Sequence, residues 1–210
     1  MLPRRIAAFR ATRCRIGLLG GSFNPAHGGH RHLSMEAIRH LGLDGVWWLV
    51  SPQNPLKQTD GMAPLAERMA SARRTARHPK LMVTDLETRL GTVYTADTLR
   101  KLTRLFPHVR FVWLMGADNL VQISRWERWH EIFKTVPIAV FARPSYCLKA
   151  LASEATHRFD RFRVKERRAS QLADLNAPRW VFLHTRLHPA SATRIRAAAA
   201  LGQTVPRHER

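Results

Sequence analysis

The hydrophobic residues of this chain fall into short runs that alternate with segments of helical period. Runs with the length of a buried strand occupy residues 15–19, 46–50, 81–83, 110–115, 138–142 and 180–183. Between or after them, apolar residues recur every three to four positions, which predicts helices over about 30–41, 65–77, 94–105 and 192–201. This alternation predicts an α/β fold with a single doubly wound, mainly parallel sheet.

The segments that follow the strands are where chemistry is expected. Open parallel sheets bind ligands outside the carboxyl ends of their strands, at the point where the strand order switches. The relevant segments read GGSFNPAHGGH after the first strand, SPQNPLKQ after the second and GADNLVQISRWERWH after the fourth. These three segments therefore supply the candidate site residues.

Length and composition limit the domain organisation. A chain of 210 residues with 45% hydrophobic residues has enough apolar surface for one substantial core, which favours one domain. We assign residues 15–204 to that domain, residues 1–14 to a flexible basic extension and residues 205–210 to a tail. A basic, irregular stretch near 146–179 is interpreted as a solvated surface insertion, with a nucleic-acid patch as the alternative.

The net charge indicates an anionic ligand. The formal net charge is +20, from 35 basic and 15 acidic residues, and such an excess attracts nucleic acids, membrane surfaces and nucleoside triphosphates alike. Helix-turn-helix, RNP and zinc-finger signals are missing from the sequence, which disfavours nucleic acid as the main partner. The charge alone does not choose among these anionic partners.

The cysteines and the hydropathy predict the compartment. Cys14 and Cys147 lie far apart in the sequence and form neither a disulfide framework nor a zinc spacing, which is typical of a reducing compartment. No run approaches the roughly 18 apolar residues of a membrane span. The first 14 residues lack the apolar core of a secretory signal. A targeting peptide and a basic arm remain as alternative interpretations of this segment. We expect a cytoplasmic protein without membrane association.

The segment after the first strand has the features of a phosphate site. Gly20 and Gly21 would let the backbone turn tightly and approach a ligand, and Pro25 would stiffen the exit. His27 and His30 stand three residues apart and share a face if the first turn is helical. A helix N-terminus there would favour phosphate through its free N–H groups and its dipole.

Other interpretations of this segment fit less well. Neither the Walker pattern GxxxxGK[ST] nor the dinucleotide pattern GxGxxG is present. A zinc site at His27, His30 and His32 would lack a nearby carboxylate or cysteine to complete the ligand set. Two surface histidines would be the simplest alternative if the glycines and the proline were absent. Phosphate binding is therefore the preferred interpretation of this segment.

The motif itself is similar to a known signature. GGSFNPAHGGH resembles the nucleotidylyltransferase superfamily element G-G-[ST]-F-D-P-x-H-x-G-H, with Asn24 where aspartate is usual. The segment from Ser191 to Arg196 resembles the S-S-T-x-I-R element of the same superfamily, with Ala192 in place of the second serine. The resemblance implies a Rossmann-like nucleotidyltransferase fold.

Further segments resemble one branch of this superfamily. SPQNPLK (51–57), VYTADTL (93–99) and GADNLVQISRWERWHEI (116–132) are similar to bacterial nicotinate-mononucleotide adenylyltransferases, and the resemblance runs from Arg15 to about Leu201. It implies transfer of AMP from ATP to the 5′-phosphate of nicotinate mononucleotide, giving deamido-NAD and pyrophosphate in NAD biosynthesis. Mg²⁺ would accompany ATP and be held by phosphates and water, since no protein ligand set is visible.

The resemblance also implies roles for individual residues. His30 and His27 are the catalytic pair, His30 on the α-phosphate and His27 on the departing phosphates. The residues implied for ATP are Gly20, Gly21, Ser22, Phe23, Asp118, Ser191, Thr193 and Arg196. Those implied for nicotinate mononucleotide are Lys57, Tyr94, Thr95 and Trp126.

Several of these roles have structural alternatives. The alternative for Asp118 is a helix N-cap, a position at which aspartate is favoured. Trp126 and Trp129 could be core residues, and Lys57 a solvated surface lysine. An adenylyltransferase with nicotinamide mononucleotide or phosphopantetheine as acceptor is the nearest functional alternative. The oligomeric state is open, and a homo-oligomer is compatible with the sequence.

Overall fold

One parallel sheet organises the chain. The computed structural model describes residues 4–52, 61–186, 188, 190 and 192–200. Within these residues the sheet has seven strands: β1 (Cys14–Gly21), β2 (Gly45–Val50), β3 (Leu81–Thr84), β4 (Val109–Gly116), β5 (Ile138–Phe141), β6 (Arg163–Val164) and β7 (Trp180–Leu183).

The strand order is β3-β2-β1-β4-β5-β7-β6, and every described pair is parallel. β1 lies in the middle, with Ile16 opposite Gly45 on one side and Phe111 on the other. The chain builds outward from β1 first towards β3 and then, after β4, in the other direction, so the order switches between β1 and β4. This confirms the predicted doubly wound sheet.

The helices cover both faces of the sheet. They are α1 (Arg4–Ala7), α2 (Gly28–Leu41), α3 (Leu65–Thr75), α4 (Leu86–Leu90), α5 (Thr95–Leu105), α6 (Ala117–Gln122), α7 (Trp129–Thr135), α8 (Cys147–Leu151), α9 (Glu154–Phe159) and α10 (Ala192–Ala200). Short 3₁₀ segments occupy Ala8–Ala11, Ile123–Arg125, Asp160–Phe162 and Glu166–Asp174. The four predicted helices and six predicted strands are all present, whereas β6 and the shorter helices were not predicted.

Two apolar layers hold the helices to the sheet. β2 is buried along its whole length, and its neighbouring tryptophans alternate between the faces. Trp47 packs with Phe106 and Phe111 on the face covered by α5. Trp48 packs on the face covered by α2, where Leu33 and Leu41 are buried. This double burial explains why the strands read as continuous hydrophobic runs.

The amino-terminal segment, assigned from sequence to a flexible extension, contains helical residues. α1 and the following 3₁₀ turn precede β1, Ile6 is buried, and the Phe9 ring meets Trp47 edge-on at a centroid distance of 5.3 Å. The boundaries proposed for the extension, the domain and the tail stay a prediction.

The basic stretch near 146–179 is partly built into the fold. It contains α8, α9 and the edge strand β6, and Ala169, Leu172 and Ala173 of its 3₁₀ segment are buried against the sheet. Several arginines of the stretch lie over aromatic rings, among them Arg163 at 5.2 Å from the ring centre of Trp180. The described helices include none that is both long and apolar enough to cross a membrane.

Candidate active site

A cleft of about 490 Å³ lies at the carboxyl edge of the sheet, over the ends of β1 and β4. The N-terminus of α2 borders it on one side of the sheet and that of α5 on the other. The predicted residues that line it are Gly20, Gly21, Ser22, Phe23, His27, His30, Tyr94, Thr95, Asp118, Trp126 and Thr193. The fold thus brings together residues from four separate segments of the sequence.

A second, more open hollow of about 680 Å³ lies at the opposite edge, between the starts of β1 and β4. It contains Arg15 and Arg110 together with Asp174, which pairs with Arg15 at 2.7 Å. None of the predicted site residues lines this hollow. Its charges already neutralise one another in part, and the carboxyl-edge cleft, which contains the predicted residues, is the better candidate.

His27 and His30 lie side by side at the start of α2, with their ring planes tilted by 35°. His27 is the N-cap, and its Nδ1 accepts a hydrogen bond from the Gly29 N–H at 3.1 Å. The Nδ1 of His30 accepts from the His27 N–H at 3.2 Å, and the ring centres are 3.9 Å apart. Because both Nδ1 atoms accept, the neutral rings carry their protons on Nε2. Nε2 is therefore the donor nitrogen of each neutral ring.

The environment keeps His27 neutral. The pKa of His27 is lowered from 6.5 to about 4, chiefly by burial and also by the positive charges of Arg143 and His188. His27 is only 2% exposed. At neutral pH it is a hydrogen-bond donor without a charge, and the cations beside it supply the positive potential.

The glycines of the first loop do not make the tight turn that the sequence predicted. Gly20 and Gly21 are the last residues of β1, and the positive φ of 48° belongs to Phe23. A Cβ on Gly20 would lie 2.4 Å from Cη2 of Trp113, whereas one on Gly21 would meet the Phe23 ring at 3.5 Å. Gly20 is thus needed for the packing of Trp113, and the turn is made after it.

Phe23 contributes to the cleft mainly through its backbone. Its side chain is 1% exposed and stacks on Trp48 with the ring centres 5.0 Å apart. The ring of His30 lies 4.8 Å from that of Phe23. Phe23 therefore supports His30 from below and anchors the loop in the core.

Arg68 joins the first two loops, and sequence reasoning missed it. Its guanidinium group is buried and donates to the carbonyl oxygens of Ser22 and Ser51 at 2.7 Å, of Ala63 at 2.8 Å and of Pro52 at 2.9 Å. Burial lowers the pKa of Arg68. The signal in the sequence is a charged residue on the apolar face of α3, three positions after Leu65.

Asn24, which replaces the usual aspartate, has a defined contact. Its Nδ2 donates to the Gly61 carbonyl at 3.0 Å, and its Oδ1 accepts from the Ala63 N–H at 3.3 Å. An aspartate would lack the donor to Gly61. Arg196 donates to the Asn24 carbonyl at 2.7 Å and is exposed, so it contacts the loop and is not among the residues that line the cleft.

Tyr94, Thr95 and Trp126 form the other side of the cleft. Tyr94 is the N-cap of α5, and the first helical N–H to reach an intrahelical acceptor is that of Asp97. The N–H groups of Thr95 and Ala96 therefore have no intrahelical acceptor. Trp126 is partly buried and borders the cleft, whereas Trp129 is buried in the core, so the core interpretation holds for Trp129.

Arg128 connects this side to the helix behind it. It pairs with Asp97 of α5, and its guanidinium group lies 5.8 Å from the ring centre of Tyr94. The backbone of Arg128 has a φ of 51°. These contacts hold the Trp126 segment against the start of α5.

Asp118 lies in the first turn of α6, whose N-cap is Gly116, so the N-cap interpretation of Asp118 is wrong. Its Oδ1 is buried and lies 3.5 Å from the Nε of Arg143. A Cβ on Gly116 would lie 2.3 Å from that Oδ1 and 2.8 Å from the Nε. The structure also places Arg143 at the site. The position of Arg143 just after the fifth predicted strand, at the carboxyl edge of the sheet, could have indicated this from the sequence.

Two predicted residues, Lys57 and Ser191, lie outside the described residues. Thr193, beside Ser191 in the last motif, does line the cleft. In the part of the chain that the structure describes, no group of three His, Cys, Asp or Glu side chains could hold a metal ion.

Comparison with known proteins identifies relatives. Residues 18–198 match the cytidylyltransferase-like family. A probable nicotinate-nucleotide adenylyltransferase of Parvibaculum lavamentivorans is 54% identical over 182 residues, which cover 87% of this chain and 90% of that protein. One of Cereibacter sphaeroides is 52% identical over 182 residues, covering 87% and 96%.

Solved structures share the fold. The nicotinic acid mononucleotide adenylyltransferase of Plasmodium falciparum, complexed with NaAD, superposes with a TM-score of 0.65 at 15% identity and covers 88% of this chain and 83% of its own. A putative nicotinate-nucleotide adenylyltransferase of Vibrio parahaemolyticus gives a TM-score of 0.58 at 17% identity, covering 92% and 85%.

Proposed function

This chain belongs to the cytidylyltransferase-like family and, within it, to the nicotinate-nucleotide adenylyltransferases, and we propose that it transfers AMP from ATP to nicotinate mononucleotide. The products are deamido-NAD and pyrophosphate, in a step of NAD biosynthesis. The observation that carries the proposal is the cleft, with the His27–His30 pair on one side and Tyr94, Thr95 and Trp126 on the other.

The reaction is an in-line displacement at phosphorus. An oxygen of the mononucleotide 5′-phosphate forms a bond to the α-phosphorus of ATP, the bond from that phosphorus to the bridging oxygen breaks, and pyrophosphate leaves with the electron pair. The nucleophile is already anionic at neutral pH, so no general base has to remove a proton. The site has to align the two oxygens and stabilise the charge between them.

The histidine pair provides that stabilisation in our proposal. His30 donates its Nε2–H to the α-phosphate, and His27 donates to the departing phosphates, for which Thr193 and Ser191 are the further donors in this proposal. Since His27 is neutral, the positive charge in this part of the cleft comes from Arg143 and from the N-terminus of α2. Asp118, which lies beside Arg143, accepts hydrogen bonds from the ribose hydroxyls of the nucleotide.

The acceptor occupies the other side of the cleft. The pyridine ring stacks on Trp126, and the nicotinate carboxylate accepts hydrogen bonds from the backbone N–H groups around Tyr94 and Thr95. These donors favour an anionic carboxylate over the neutral amide of nicotinamide mononucleotide. Lys57 and the loop that contains it receive the acceptor phosphate.

Magnesium enters with ATP. When it is bound, it neutralises phosphate charge and supports the departure of pyrophosphate. The residues of this chain would hold the nucleotide, and phosphate oxygens and water would coordinate the ion. We place the protein in the cytoplasm, where its two unpaired cysteines would stay reduced.

Product analysis tests the proposal. Incubation of the purified protein with ATP, Mg²⁺ and nicotinate mononucleotide should release pyrophosphate and form deamido-NAD in equal amounts, as measured by a coupled pyrophosphate assay and mass spectrometry. Release of orthophosphate in place of pyrophosphate, or no dinucleotide product, would reject adenylyl transfer.

A further inference from the structure

Glu87 is a buried acid that the proposed chemistry does not use. It belongs to α4, borders the cleft and is only 5% exposed. Its Oε2 is buried without a hydrogen-bond partner among the described residues. A carboxyl oxygen left unpaired in such a place is costly, and native proteins keep few of them.

The Glu87 carboxyl group joins two segments that border the cleft. It takes part in side-chain hydrogen bonds with Ser51, just after β2, and with Thr98 of α5. The hydroxyl of Thr98 lies 2.8 Å from that of Thr92 and donates to the Tyr94 carbonyl at 3.2 Å. The side chain of Glu87 is thus connected, through Thr98, to the backbone at the start of α5.

Backbone contacts reinforce this connection. The Thr92 N–H donates to the Glu87 carbonyl at 3.0 Å, and the Ser51 N–H donates to the Gly21 carbonyl at 2.9 Å. Glu87 therefore lies at the junction of the segment 92–98, the end of β2 and, through Ser51, the first loop. A change at this one side chain would reach both sides of the acceptor part of the cleft.

We infer that Glu87 is a positioning residue for the acceptor mononucleotide, whose carboxyl group ties Ser51 to Thr98 and so fixes the backbone of Tyr94 and Thr95. The inference rests on the proposed function in that it assigns the acceptor to this part of the cleft. Glu87 acts through the segments that it holds. Its loss should weaken binding of the acceptor and leave binding of ATP almost unchanged.

The charge state of Glu87 supports this role. Burial raises the pKa of Glu87 from 4.5 to about 7, although the hydrogen bonds with Ser51 and Thr98 lower it. As the pH rises through 7, a negative charge appears near an anionic substrate and should weaken its binding. The other titratable or charged groups that line the cleft are His27, His30, Tyr94, Asp118, Arg125, Glu127 and Arg143.

Charged groups next to Glu87 in the helices are already paired. On α4, Arg89 pairs with Asp85 at 2.7 Å, and on α5, Asp97 pairs with Arg128. His27, with its pKa of about 4, does not titrate between pH 6.5 and 8.5. A glutamine at position 87 keeps the shape of the side chain and cannot ionise, so it isolates the contribution of Glu87.

Steady-state kinetics of Glu87→Ala and Glu87→Gln test the inference, with Glu131→Gln, at a partly exposed position of α7, as the control. Alanine should raise the KM for nicotinate mononucleotide at least tenfold and the KM for ATP less than twofold, with kcat within threefold of the wild type. Glutamine should stay within threefold of the wild-type acceptor KM at pH 6.5. From pH 6.5 to 8.5 the acceptor KM should rise at least threefold more in the wild type than in Glu87→Gln.

Amide hydrogen exchange without substrate separates this inference from the proposed function. Exchange in residues 92–98 should be at least tenfold faster in Glu87→Ala than in the wild type, and near the wild-type rate in Glu87→Gln. Unchanged exchange in Glu87→Ala would overturn the positioning role. Equal increases of the KM for nicotinate mononucleotide and the KM for ATP, in both Glu87→Ala and Glu87→Gln, would also overturn it. Absence of wild-type turnover with nicotinate mononucleotide would instead reject the proposed function, and exchange would still decide the role of Glu87.

Discussion

The residues around the cleft differ in whether the sequence alone could predict them. His27 and His30 were predicted because glycines, a proline and two histidines occur together at one helix start, and the structure pairs their rings 3.9 Å apart. Arg68, Arg143 and Glu87 were missed because their contacts join segments far apart in sequence. A buried arginine bonded to four backbone carbonyls has no local motif.

Substitution of His30 tests the stabilisation of the transferring phosphate. His30→Ala should lower kcat by at least a hundredfold, about 3 kcal/mol, because a donor strengthened in the transition state is lost. His40→Ala, at the far end of the same helix, is the control and should keep wild-type kcat. Circular dichroism should show both variants folded. Near-normal turnover of His30→Ala would remove His30 from the catalytic role.

Two neighbouring tryptophans should respond differently to the same change. Trp126→Ala should raise the KM for nicotinate mononucleotide at least tenfold and lower the free energy of unfolding by about 1 kcal/mol. Trp129→Ala, which removes a 6% exposed core side chain, should lower it by about 3–5 kcal/mol. Urea titration and steady-state kinetics measure both effects. The same acceptor KM in Trp126→Ala and the wild type would contradict the stacking role.

At the level of elements, the long strands and helices were predictable from their period. Their observed ends lie within two residues of the predicted ones, because the core-facing pattern continues to each end. β6 has two residues and α4 has five, which is too short for a period to appear. The geometry at the end of β1 was predicted wrongly, because the packing partner of Gly20 is Trp113 on the neighbouring strand.

The end of β1 offers a test that separates packing from binding. Gly20→Ala should lower the free energy of unfolding by about 1–3 kcal/mol, because the new Cβ would overlap the Trp113 ring. Gly21→Ala should change it by less than about 0.5 kcal/mol, because its Cβ would make ordinary contacts with the Phe23 ring, yet reduce kcat/KM for ATP at least tenfold, because Gly21 borders the cleft in which we propose that ATP binds. Denaturant unfolding and kinetics check both, and equal stability of the two variants would contradict this account.

At the level of the whole molecule, the strand order puts the cleft at the switch between β1 and β4, as the doubly wound prediction required. The charge of +20 indicated an anionic ligand and left its class open. The basic stretch was interpreted as a solvated insertion, yet Leu172 within it is fully buried. Its buried residues Ala169, Leu172 and Ala173 recur at helical spacing, but over a span too short to predict burial from the sequence.

Global stability should depend on pH through Glu87. Its pKa is higher in the folded protein, about 7, than the usual 4.5, so the folded state binds more protons between these values. The stability that protonated Glu87 contributes is complete below pH 4.5 and is lost as the pH rises to 7. Relative to Glu87→Gln, wild-type unfolding free energy should fall by about 3 kcal/mol over this range. Urea titrations of the two proteins across this pH range measure both unfolding free energies. A difference between them that stays constant with pH would contradict the raised pKa.

The central claim concerns the acceptor, and a comparison of acceptors at fixed ATP concentration tests it most directly. Pyrophosphate release should be measured with nicotinate mononucleotide, nicotinamide mononucleotide and phosphopantetheine. We predict that kcat/KM for nicotinate mononucleotide exceeds that for the amide at least tenfold, and that phosphopantetheine gives no turnover. A preference for nicotinamide mononucleotide of more than tenfold, or turnover with phosphopantetheine alone, would contradict the account.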